Sequence, residues 1–143
     1  MSSITRTMNN LQREGPLLDI YFSVPAELER KLKKEGKQVP ESIHCKALID
    51  TGASNCVVQA NIPQALKLNP IGETTMATPS CQSCKCYTYL LRITIPQQQI
   101  AYECVFTSAP LQGQEINCLI GRDILSQSHF TYIGYMNQFT FSI

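Results

Sequence analysis

Tryptophan is absent from the 143 residues, histidine occurs only twice, and charged side chains make up just 16%. His44 and His129 have no serine or cysteine partner in a recognisable spacing, which gives no support to a nucleophilic hydrolase. They are not in metal-ligand spacing either, and neither a metal nor another cofactor is expected. An excess of one charge sign is also missing: twelve Lys and Arg face eleven Asp and Glu. No general polyanion-binding surface, and so no nucleic-acid partner, is expected. No apolar run approaches the roughly 20 residues of a membrane span, and no membrane partner is expected. The polar opening "MSSITRTMNNLQREGP" lacks the apolar segment of a secretion signal. The expectation is an intracellular, cytoplasmic protein whose seven cysteines are mostly free thiols.

What is present is a hydrophobic content of 43%, enough for one globular core at this length. Residues 1–16 read as a flexible arm and residues 17–143 as the single folded domain. "LLDIYFSV" (17–24) alternates around β-branched and aromatic residues and predicts a strand. "PAELERKLKKEGK" predicts a short amphipathic helix, with Pro25 at its start, Leu28 and Leu32 four apart, and Gly36 as a stop. Its basic run includes acids and is read as a solvated face. Residues 43–50 predict the next strand, 62–70 a helical turn, and 71–95 a long hairpin with a polar tip. Further strands are expected over 99–109, within 116–125 where Gly121 leads into a short helix, and in a closing hairpin over 129–143. Many short strands separated by turn signals point to an all-β fold, either a small barrel or a sandwich.

One acid interrupts the apolar stretch "HCKALIDTGASNCVV" (44–58). Asp50-Thr51-Gly52 forms a sharp turn after a strand, and it is the only Asp-Thr-Gly or Asp-Ser-Gly triplet in the chain. Gly52 allows close backbone approach or a positive φ, and N–H groups beside it can donate to the carboxylate. The Thr51 hydroxyl can anchor the loop. A bare Asp-Thr-Gly is also an ordinary turn sequence. Its flanks set this one apart: an apolar lead-in, the small residues Ala53 and Ser54 behind it, and a later "CLIGRDIL" in which Gly-Arg-Asp joins an apolar strand to a helix.

Through Leu48-Ile49-Asp50-Thr51-Gly52-Ala53, the 73–86 segment and Leu119-Ile120-Gly121-Arg122-Asp123, the sequence resembles the retroviral-type aspartic proteases, the retropepsin-like family. The terminal "HFTYIGYMNQFTFSI" looks like the closing hairpin of bacterial and cellular relatives. The resemblance implies a small closed β-barrel with one short helix in the C-terminal half and a flap hairpin. It implies an aspartic endopeptidase with Asp50 as the catalytic acid, Thr51 and Gly52 supporting the loop, and Ala53 lining the cleft. Thr75, Met76 and Ala77 fall in the flap, with Thr75 and Met76 at its tip. Gly121, Arg122 and Asp123 are implied to be structural. Many viral members carry an acid where this chain has Ser54 and Asn55, so the partner of Arg122 is expected in the backbone or in Asp123.

The chemistry needs two carboxylates around one water, one ionised and one protonated. A chain with one such triplet must pair with a second copy, so a homodimer acting on a peptide or protein substrate is implied. The competing reading is a weak or inactive module of the same fold that dimerises or binds peptides, motivated by Ser54-Asn55 and a flap poor in glycine. "CQSCKC" adds Cys81, Cys84 and Cys86, for which half a metal site, a redox-sensitive disulfide and plain thiols all remain open.

Overall fold

In "LLDIYFS" every second side chain, Leu18, Ile20 and Phe22, is fully buried, the pattern of a strand with one face on a core. "IHCKALI" repeats it with Cys45, Ala47 and Ile49. The computed structural model describes residues 2–78, 81–111 and 115–143. Among these the strands are β1 (Ser3–Thr7), β2 (Leu17–Ser23), β3 (Ile43–Ile49), β4 (Val57–Gln59), β5 (Gly72–Thr78), β6 (Cys81–Ile95), β7 (Ile100–Ala109), β8 (Cys118–Ile120), β9 (His129–Ile133) and β10 (Gln138–Ser142). The helices are α1 (Leu11–Glu14), α2 (Ala26–Lys34), α3 (Asn61–Ala65) and α4 (Arg122–Leu125). The fold is mostly β.

The larger sheet runs β2-β3-β8-β4-β7-β6-β5, and β6 pairs again with β2. Two of its pairings, β3 with β8 and β4 with β7, are parallel. The length of β6, 15 residues, lets it serve three neighbours. Its start pairs with β5, its second half with β7, and Arg92–Thr94 with β2. Inside lie Leu18, Ile20, Phe22, Leu91, Ile93, Ile95, Phe106 and Ile120, all fully buried. Phe22 and Phe106 meet edge to face at 5.1 Å between ring centroids. Each such side chain contributes about 1.5–3 kcal/mol by leaving water.

A second sheet, β1-β10-β9, closes over the core with Phe139 and Phe141 fully buried. The buried Gln98 side chain ties it to the larger sheet, donating to the carbonyls of Ser2 at 3.0 Å and Phe141 at 2.9 Å. The helix expected after Pro25 is α2, which carries acids in its first turn and lysines in its last, complementing the helix dipole. Arg92 anchors it through Glu29 at 2.8 Å. That hydrogen bond, with the nearby Lys33, holds the Glu29 carboxyl below its ordinary range.

Two expectations change. The segment expected to be a flexible arm carries β1, which pairs in register with β10 from Ser3 opposite Ser142 to Thr7 opposite Gln138. It also carries α1, whose Leu11 is fully buried. "SITRT" has a single inward apolar residue, too little to signal a strand, and its partner lies at the far end of the sequence. The one short helix expected in the C-terminal half is α4, and the helix after Pro25 and the turn within 62–70 are α2 and α3, so α1 is the added helix.

Ile4 is only 8% exposed and belongs to the core. Ile4→Ala should therefore lower stability by about 2 kcal/mol or more in urea denaturation. An unchanged midpoint would mean that residues 3–7 do not pack.

Candidate active site

Parallel pairing sets Ile49 beside Ile120 at the ends of β3 and β8. Asp50 comes next, and its N–H donates to the Ile120 carbonyl at 2.9 Å. The chain then folds back, with the Ala53 N–H donating to the Asp50 carbonyl at 3.2 Å. The Gly52 N–H donates to Asp50 Oδ1 at 2.8 Å, which fixes the direction of the half-buried carboxylate. A Cβ on Gly52 would stand 3.1 Å from that oxygen, while its φ is not positive. Of the two roles open to this glycine, close approach is the one it fills.

The junction between β8 and α4 clamps the loop from the other side. The Arg122 N–H donates to the Ala53 carbonyl at 2.8 Å, and the guanidinium Nη1 donates to the Thr51 carbonyl at 2.8 Å. Of the two partners expected for Arg122, backbone or Asp123, the structure therefore shows backbone. Gly121 is buried, and a Cβ there would lie 2.6 Å from both the carbonyl carbon and the oxygen of Asn55. Only glycine fits between the two loops.

Asp123 faces a different residue. Its Oδ2 accepts from the Cys56 N–H at 2.9 Å, and its Oδ1 accepts from the Cys56 thiol at 3.0 Å and the Ile124 N–H at 2.9 Å. The Cys56 Sγ in turn accepts from the Gly121 N–H at 3.3 Å. Burial, with the hydrogen bond to Asp123, pushes the Cys56 thiol well above its ordinary pKa, so it stays protonated and able to donate. Cys56 is the residue that sequence reasoning missed. A cysteine entering a strand carries no local sign of a polar role, and Asp123 is far away in sequence.

A cavity of about 370 Å³ opens beside this loop, lined by Gly52, Ala53, Ser54 and Asn55 on one side and by Thr74, Thr75, Met76 and Ala77 of β5 on the other. The structure thus brings the expected cleft and hairpin residues together. Thr75 and Met76 do not form the hairpin's tip, however. They pair with Lys85 and Cys84 in the β5–β6 ladder, because the polar middle of the 71–95 hairpin is itself paired strand. The turn itself lies outside the described residues. Asp50 is not among the residues lining the cavity, and the exposed Thr51 makes no side-chain hydrogen bond among the described residues. Within one chain the site has one Asp-Thr-Gly acid.

The profile of the retroviral aspartyl proteases matches residues 28–132, from α2 to β9. The chain belongs to that family. Among solved structures, a retropepsin-like aspartic protease from Rickettsia conorii is similar in fold, with a TM-score of 0.55 and 14% identity over 96% of this chain and 88% of that one. The EIAV protease complexed with the inhibitor HBY-793 gives a TM-score of 0.48 and 15% identity over 84% of this chain and 92% of that one. A search of curated proteins finds no significant match.

Family membership supports aspartic protease chemistry, for which the Asp50 turn is the only Asp-Thr-Gly available. No group of three or more His, Cys, Asp or Glu that could hold a metal ion occurs among the described residues. Of the readings open for "CQSCKC", the structure shows a disulfide: Cys81 and Cys84 are joined, with their Cα atoms 5.8 Å apart. Cys86 is buried beside them as a free thiol. The bond spans the end of the hairpin opposite Met76 and Thr78, the β5 partners of Cys84 and Cys81.

Gly121→Ala should force the two loops apart and cost about 1–3 kcal/mol in chemical denaturation. A variant as stable as the parent would show that they do not touch.

Proposed function

We propose that the protein is an aspartic endopeptidase that works as a homodimer, with the Asp50 side chains of two copies sharing one water across a two-fold axis. The observation that carries this reading is the incompleteness of the single chain. It holds one Asp-Thr-Gly turn, locked by its own backbone and by Arg122, beside a cavity that Asp50 does not line. A second copy brings the second carboxylate. Thr51, exposed and without a side-chain partner among the described residues, is available to that copy.

Two carboxylates so close cannot both stay ionised, so the pair holds a single proton. The ionised member draws a proton from the water as it attacks the scissile carbonyl. The protonated member gives its proton to the carbonyl oxygen. Collapse of the tetrahedral intermediate then transfers a proton to the departing amine. The Gly52 N–H keeps the carboxylate oriented throughout, and pre-set orientation is where such a site gains rate.

In this reading β5 and β6 act as a flap. An extended peptide lies between β5 and residues 52–55, bonded through its main chain, and the hairpin keeps bulk water out. The pairings that return from β6 to β2 are read as the small barrel of the family. Ser54 and Asn55, in place of an acid, favour the competing reading of a peptide-binding module with little turnover.

Asp50→Asn should lower peptide cleavage by at least ~10³-fold while dimer mass and thermal stability stay as in the parent. The assay is a fluorogenic peptide library at mildly acidic and neutral pH, paired with sedimentation equilibrium. Undiminished cleavage by Asp50→Asn would remove the proposal. Peptide capture without turnover by the parent protein would establish the module instead.

A further inference from the structure

The loop from Asp50 to Cys56 is held at both ends by the same stretch of chain, residues 120–124. At its start the holding groups are the Ile120 carbonyl, the Arg122 N–H and the Arg122 guanidinium. At its end stands Cys56, fully buried. Its thiol donates to Asp123 Oδ1 at 3.0 Å and accepts from the Gly121 N–H at 3.3 Å. Its own N–H donates to Asp123 Oδ2 at 2.9 Å. One side chain thus satisfies a carboxylate and a backbone donor together, and both belong to the segment that flanks Asp50.

An apolar side chain of similar size would fill the same space and do neither. The Gly121 N–H would be left unpaired in the interior and Asp123 would lose one donor. Unmade bonds of this kind are costly when buried, so the two segments would relax their contact to find other partners. The near end of the loop would then be free to shift. A misplacement of about 1 Å is enough to reduce a rate ~10²-fold.

We infer that Cys56 and Asp123 are positioning residues: their clasp sets where Asp50 stands relative to its counterpart in the second copy. This rests on the proposed dyad. It also gives the dyad a measurable signature. The closer two carboxylates stand, the further apart their two apparent pKa values fall, and the wider the pH range over which one proton is shared. Loosening the clasp lets the acids separate on average, which brings the two values together and narrows the bell-shaped profile from both sides. The charged and titratable groups facing this loop and Cys56 are Arg122 and Asp123 from α4, Tyr102 and Cys104 from β7 and Cys118 from β8, and all remain when Cys56 is replaced. A narrower profile therefore reports geometry and not a lost charge.

Valine and threonine differ here by a methyl against a hydroxyl, and the hydroxyl can both donate and accept. In the full-length dimer, Cys56→Val should lower kcat by ~10- to 100-fold with KM changed by less than ~2-fold, and should narrow the pH profile. Cys56→Thr should bring kcat back to within ~3-fold of the parent and restore the width. If Cys56→Val does not fold, Cys56→Ala and Cys56→Ser form the same comparison, with serine expected above alanine in both kcat and width. Parental kcat and width in Cys56→Val, no recovery in Cys56→Thr, or no difference between alanine and serine would each overturn the inference. If Asp50→Asn is inactive and these variants behave as the parent, the inference alone fails. If Asp50→Asn is active, the function proposed above fails with it.

Discussion

Two strands distant in sequence, β3 and β8, run parallel through the core with Ala47, Leu48 and Ile49 opposite Cys118, Leu119 and Ile120. Their shared end lies where the Asp50 turn and the start of α4 meet. Parallel pairing forces both chains to leave the sheet in the same direction. The segments that follow must therefore share a small volume, and their exposed N–H and carbonyl groups find each other there. A slip of the ladder by one residue would reverse which side chains face the core. The buried set Ala47, Ile49, Cys118 and Ile120 thus fixes the register on which the loop geometry is built.

Around that junction most polar groups are satisfied by one another. Backbone donors serve the two carboxylates, Asp50 and Asp123, and the guanidinium of Arg122 serves a backbone carbonyl rather than an acid. The two carboxylates consequently do different work. Asp123 is spent on holding the segments together, with bonds to both of its oxygens. Asp50 has one oxygen bonded within its turn and the other with no hydrogen bond among the described residues. An acid held by one oxygen and open at the other is oriented without being used up, which is the condition for acting on a water.

Much of this could be read from the sequence because it is local. The Asp50-Thr51-Gly52 turn follows from residue types that tolerate tight approach, the strand–helix junction at Gly121 from an apolar run that ends in glycine, and α2 from its apolar spacing and charge order. Features that depend on distant partners could not be read. β1 is a strand only because residues 138–142 lie beside it. Cys56 is polar in function only because Asp123 reaches it. The span of the β5–β6 hairpin is legible over 71–95, but its polar middle reads as a tip at Thr75 and Met76 because Ser, Thr and Cys residues look like a loop until they are paired. On closure of the sheet the residues alone point to either a barrel or a sandwich, and only the resemblance favours a barrel.

The outermost backbone bonds of the smaller sheet run from the Ser2 N–H to the Ile143 carbonyl and from the Ile143 N–H to the Ser2 carbonyl, both at 3.0 Å. The backbone at Ser2 and the backbone at Ile143 are therefore held side by side. A short peptide would join them, and new termini could then be opened in the exposed stretch after α2, giving a circular permutant with every strand intact. By the same geometry, segments attached before Ser2 and after Ile143 would start next to each other and compete for the same patch of surface.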